Sequence, residues 1–133
     1  MLAQITFKAP NRPMSINEAN KLHWAKKRMR MSPWKETFRA AYRQQELSPA
    51  DQPVIVFVSL PFERKARRDP HNYIGTVVKG LVDVLVNEGY LKDDTQEYLT
   101  VVDPELRITK DEMVHVLIFE RQEVDYWRLA KGE

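Results

Sequence analysis

Residues 69–89, DPHNYIGTVVKGLVDVLVNEG, are the stretch on which the reading of the fold turns. Asp69 is a good N-cap, Pro70 suits the first helical turn, and Gly89 is the residue type that most often follows a helix end. One helix is therefore expected from Pro70 to about Glu88. Placed at roughly 100° per residue, Tyr73, Ile74, Val77, Val78, Leu81, Val82, Leu85 and Val86 cover more than half of its circumference. A helix with so broad an apolar surface is mostly buried. What remains is a narrow polar stripe of Asn72, Thr76, Lys79, Asp83 and Asn87, with Asp69 at its foot and Gly75 and Gly80 beside it. Residues three and four apart share a helix face, so the stripe is either a solvated surface with a Lys79–Asp83 ion pair or the wall of a site.

Working outward, Val54 to Leu60 is β-branched and bounded by Pro53 and Pro61, which marks a buried strand. The polar run Glu63 to Arg68 connects it to the helix. Ala3 to Lys8 alternates enough for a first strand, stopped by Pro10 and Pro13. Ser15 or Asn17 is placed to cap a helix to about Arg30, and Ser32-Pro33 to restart one as far as Glu46. Strands return at Tyr98 to Val102 and Met113 to Glu120, and the last dozen residues read as an edge or a loosely held tail. The expectation is one α+β domain over residues 1–133, with a mixed sheet and packed helices.

At 133 residues the chain has the size of a single domain. It has no cysteine, which excludes disulfides, thiolate nucleophiles and Cys-ligated metal sites and suits a reducing interior. No apolar run is long enough to cross a bilayer, and the first residues lack the pattern of a secretion signal, so a cytoplasmic protein is expected. The net charge of +2 conceals a division. Residues 1–50 carry ten Lys and Arg against three acids, while the remainder is net acidic. Lys21, Lys26, Lys27, Arg28, Arg30, Lys35, Arg39 and Arg43 form one basic stretch that includes Trp24 and Trp34, with Glu36 as its only acid. Such a stretch attracts a phosphate backbone or is simply solvated; Lys26, Lys27, Arg28 and Arg30 are its candidate DNA contacts.

Beyond Gly89, Asp93 and Asp94 stand side by side before a strand. Neighbouring residues of extended chain point to opposite sides, so one faces the stripe while the other bonds the turn backbone or meets water. A helix packed on a sheet would return the chain so that Asp69 and Asp94 reach one pocket. Mg²⁺ takes one or two carboxylates while keeping waters and substrate phosphate oxygens, which suits phosphodiester hydrolysis. Lys79 would offset the charge growing on the phosphorus.

Arg68-Asp69-Pro70-His71-Asn72, then Lys79-Gly80-Leu81-Val82-Asp83-Val84-Leu85, then Gly89 and Asp93-Asp94, resemble the signature of the RusA family of Holliday junction resolvases. That signature has an Arg, two aspartates separated by one residue and an Asn, then a Lys, an Asp-x-Leu and a Gly shortly before an Asp-Asp pair. The match covers about residues 67 to 97, with looser support from Pro13, Asn17 and His23-Trp24. The resemblance implies a homodimeric, Mg²⁺-dependent endonuclease, often phage-encoded, that places paired nicks in four-way DNA. It further implies that Asp69 and Asp94 are acidic ligands, that Lys79 is the catalytic lysine, and that Asp83 is the helix aspartate. Two departures stand out. His71 replaces the second aspartate, and the distance from Asn72 to Lys79 is about one helical turn longer.

A turn-sized insertion roughly preserves the direction of downstream side chains, because four residues rotate a helix by about 400°. His71 is either a ligand that shifts preference towards Mn²⁺, a donor to DNA phosphate, or a helix-start residue with no ligand role. Asn72 holds a metal-bound water, contacts DNA or caps the helix. Arg64, Lys65, Arg67 and Arg68 flank the proposed ion and are candidates for phosphate contacts. His115 is expected inside a strand, and His23 at DNA or in the core. Trp34, Phe38 and Tyr42, at four-residue steps, are expected to form a packing face. Two other functions compete with junction cleavage: a branched-DNA-binding protein that has lost cleavage, and a nuclease or other phosphotransfer enzyme acting on a different branched or single-stranded substrate.

Overall fold

Val54–Phe62 forms strand β2, and its neighbours set the architecture. The computed structural model describes residues 1–123. β2 pairs antiparallel with β5 (Met113–Glu120), which in turn pairs antiparallel with β1 (Ala3–Lys8). On its other side β2 runs parallel to two short strands, β3 (Leu99–Val101) beside its first half and β4 (Glu105–Ile108) beside its second. The sheet is thus mixed, in the order β1-β5-β2-β3 with β4 also on β2. A near-continuous apolar run fits this central position, because such runs belong to strands covered on both faces. β1 instead alternates buried and exposed residues, as a strand with one wet face does.

β2 is longer than its prolines suggested and passes through Pro61. Its pairing with β5 ends at Ser59, so at Pro61 only β4 lies alongside, and the missing N–H interrupts no ladder towards β5. β4 has no counterpart among the strands expected from sequence. It is four residues long and half exposed, so neither an apolar run nor an alternation marks it.

Among the described residues three α-helices complete the single α+β domain: α1 (Ile16–Asn20), α2 (Trp24–Gln44) and α3 (Lys79–Asn87). Ser15 caps α1 as expected, its hydroxyl accepting from the Glu18 N–H. The break between the first two helices falls at Lys21–His23 rather than at Ser32-Pro33, and Pro33 lies inside α2. Proline removes one intrahelical bond. The bond lost is that to the Met29 carbonyl, and beside it Asn11 clamps the helix from outside: its amide donates to the Arg30 carbonyl at 2.9 Å and its oxygen accepts from the Trp34 indole at 2.8 Å. Trp34, Phe38 and Tyr42 form the expected packing face and are buried with Ile5, Phe7, Val58, Val116 and Leu81 in the core. Phe7 meets Trp34 edge-on, with ring centroids 5.9 Å apart.

The segment from Pro70 to Asn87 is helical throughout but not one α-helix. It opens as a 3-10 turn (Pro70–Tyr73), widens to a π-helical turn (Ile74–Val78) and continues as α3. The Lys79 N–H reaches back to the Ile74 carbonyl, the five-residue spacing of a π turn. Gly89, at φ +82°, ends the run as expected. Among the described residues no helix is long and apolar enough to cross a membrane. The expectation for the last dozen residues lies almost wholly outside the described residues.

Candidate functional site

The 3-10 turn positions the first candidate group. Asp69 caps it, with Oδ1 accepting from the His71 N–H at 3.0 Å, and both residues are exposed. The His71 ring faces Asp103, with Nδ1 3.2 Å from Oδ1. Asp103 lies between β3 and β4, so the sheet edge brings a carboxylate beside the helix start that no motif indicated. If this carboxylate accepts from Nδ1–H, the Nε2 lone pair is left to face outward. Asn72 donates its backbone N–H to the Asp69 carbonyl and is half-buried.

The polar stripe is not continuous. Thr76 is only 4% exposed, and its hydroxyl donates to the Met14 carbonyl. The stripe was drawn at α-helical spacing, whereas Thr76 sits in the π turn, where each turn takes an extra residue. The in-helix pair also differs from expectation: Asp83 meets Lys35 of α2, 3.4 Å away, and Lys79 makes no ion pair with a described residue. Gly80 lies against Lys35 and Met31 of α2, where an added Cβ would make only ordinary van der Waals contact. Lys79 is exposed. After α3, Asp93 Oδ1 accepts from the Asp94 N–H at 2.8 Å. Asp93 thus serves the turn, while Asp94 keeps an exposed carboxylate.

A basic groove opens beside Asp69. A cavity of about 660 Å³ is bordered by Lys8, Arg12, Arg64, Arg68 and Lys110, with Glu63 and Glu112 as its acids. Arg68 is held in place: it donates to the Arg64 carbonyl, and its guanidinium carbon lies 4.1 Å from the Phe62 ring centroid. Phe62 packs edge-on against Tyr73, whose phenol pKa is raised chiefly by burial, with the nearby Arg68 charge opposing the rise. Lys8 pairs with Glu112 and Arg12 with Glu18, leaving Arg64, Arg68 and Lys110 without an ion pair to any described residue. Lys65 and Arg67 are exposed on the same loop but do not border the groove. Sequence reasoning missed Lys8, Arg12 and Lys110, because they come from separate segments that meet only at one end of the sheet.

The basic stretch of α2 divides in two. Arg30 donates to Glu18 at 2.6 Å and to the Arg12 carbonyl, while Arg39 and Arg43 both reach Glu88. Lys21, Lys26, Lys27 and Arg28 are exposed and have no ion pair with a described residue. His23 neither enters the core nor stays unengaged: its ring Nδ1 accepts from the Ala25 N–H and caps α2. His115 lies in β5 as expected, with its ring 3.3 Å from the Thr6 hydroxyl.

Among the described residues, no three His, Asp or Glu side chains are grouped to hold a metal ion. Asp69 and Asp94 both keep exposed carboxylates, and no recorded contact joins them to each other or to a common partner among the described residues. Compared with known proteins, the sequence matches no family model, and no curated protein matches it.

Proposed function

We propose that this protein is a RusA-like, metal-dependent DNA endonuclease that cleaves four-way junctions as a homodimer. The observation that carries the proposal is the adjacency of a cationic groove to an exposed carboxylate at the head of a buried helical run, through the consecutive residues Arg68 and Asp69. Arg64, Arg68 and Lys110, unpaired within the described chain, neutralise successive phosphates and align a strand past the 3-10 turn. Asp69 and Asp94, with Asp83 and His71 as further candidates, would hold Mg²⁺, or Mn²⁺ if the His71 nitrogen takes part. When bound, the ion supplies charge neutralisation and a water nucleophile. Lys79, free of an intrahelical partner, is available to a phosphate oxygen. Asp103 orients the His71 ring. A two-fold enzyme matches a substrate whose strands are themselves related by symmetry.

A second reading is favoured by the dispersal of the acids: a dimeric branched-DNA-binding protein on the same fold, without cleavage. A synthetic four-way junction incubated with Mg²⁺ and then Mn²⁺ separates the two. Paired nicks are expected, and Asp69→Asn is expected to abolish them while junction binding persists. Binding without nicks in either ion establishes the second reading instead. His71→Asp should improve Mg²⁺ activity, and an unchanged metal preference removes His71 from the ligand set.

A further inference from the structure

We infer that Trp24 is a stacking platform for an unpaired nucleobase, so that the first turns of α2 hold single-stranded or unstacked DNA. The inference rests on the DNA-binding reading above and narrows it. Trp24 is 66% exposed at the start of α2, and Met29, five residues further on, is 75% exposed. The packing of the helix does not need this ring, since Trp34, Phe38 and Tyr42 already fill the core. The ring is nevertheless held in place. His23 lies against it with centroids 5.5 Å apart, and the Arg28 guanidinium carbon sits 5.8 Å from its centroid. His23 is fixed in turn by its capping bond to the Ala25 N–H.

The charge around the ring selects the partner. Arg28 lies at the ring, Lys27 shares its helix face three residues on, and Lys21 and Lys26 add exposed charge to the same short stretch, while the acid that precedes it, Glu18, is paired with Arg12 and Arg30. A symmetric contact with a second copy through this patch would set Lys26, Lys27 and Arg28 against cations of their own kind, which is unfavourable. An anionic membrane would call for a continuous apolar stripe, whereas Trp24 and Met29 are the only large apolar residues of α2 left exposed. An aromatic face flanked by cations is the arrangement by which sequence-tolerant single-strand binding operates, because every base offers a π-face and every nucleotide a phosphate. A four-way junction would offer such a base where a pair opens at its crossover.

The test compares wild type, Trp24→Phe, Trp24→Ala and the triple variant Lys26→Ala/Lys27→Ala/Arg28→Ala, each checked by thermal melting for an intact fold. The probes are a short oligo(dT) strand, a duplex of the same length and phosphatidylserine vesicles. Oligo(dT) is expected to quench wild-type tryptophan fluorescence, and Trp24→Phe to lose that quench while holding affinity within about threefold. Trp24→Ala is expected to weaken oligo(dT) binding about tenfold and duplex binding little. Unchanged oligo(dT) affinity in Trp24→Ala, with loss in the triple variant, overturns the platform and leaves a phosphate-binding surface. Quenching by vesicles but not by oligo(dT), or a change of sedimentation coefficient in Trp24→Ala, overturns it in favour of a membrane or a second copy. No binding of any DNA by wild type defeats the DNA reading itself.

Discussion

Helix α2 begins with Lys26, Lys27 and Arg28 close to an exposed tryptophan, Trp24, whereas beyond the buried Trp34 its Arg39 and Arg43 both reach Glu88. The two halves are similar in composition, and only their surroundings distinguish them. The second half lies against β1 and α3, so its aromatic residues enter the core and its arginines meet an acid on the neighbouring helix. At the opposite end Lys26, Lys27 and Arg28 have no ion pair with a described residue, and the Trp24 ring meets only His23 and Arg28 among the recorded ring contacts. A basic stretch is thus a statement about attraction only where no carboxylate lies within reach.

The sharpest way to break this comparison is to truncate both tryptophans. Trp34→Ala is expected to cost about 3–5 kcal/mol of stability through the cavity it leaves, and Trp24→Ala less than about 0.5 kcal/mol, as measured by chemical denaturation. Equal costs would mean that the two ends are not distinct. Asn11→Ala should cost about 1–3 kcal/mol in the same measurement, because it leaves the indole N–H of the buried Trp34 without its acceptor. For binding, removing Lys26, Lys27 and Arg28 should reduce the salt dependence of DNA affinity by about one unit of slope for each phosphate no longer neutralised. Removing Arg39 and Arg43 should leave that slope unchanged. The smallest effect belongs to Arg43→Ala, an exposed member of the Glu88 pairings, at less than about 1 kcal/mol in thermal unfolding.

Much of the fold was legible because its signals are local. β1 and β5 carry alternation, β2 carries a β-branched run, and Gly89 and Ser15 mark helix ends by their own conformational preferences. What escaped was set by residues distant in the chain. Pro33 reads as a helix start, yet α2 runs through it, with Asn11 of a distant loop clamped on Arg30 and Trp34 at either side. Strand β4 exists because β2 has a free edge for it, not because its own four residues are strongly β-forming. The site divides along the same line. Asp69 and Asp93 do what their turn positions dictate, whereas the Asp103 neighbour of His71, the Lys35 partner of Asp83 and the far wall of the groove are products of tertiary packing.

The π-helical turn at Ile74–Val78 acts as an adjustable joint between the two chemical ends of the central helical run. Deleting one residue there, Gly75 for instance, would restore ordinary α-helical closure and swing Asp69 and His71 by about 100° around the axis relative to Lys79 and Asp83. Sheet register would be untouched, since no strand is involved. A length change of one amino acid would therefore carry Asp69 and His71 away from Asp103 and draw Tyr73 off its seat against Phe62, so the extra residue of the π turn is what lets the exposed head of the run and its buried ring both keep their places.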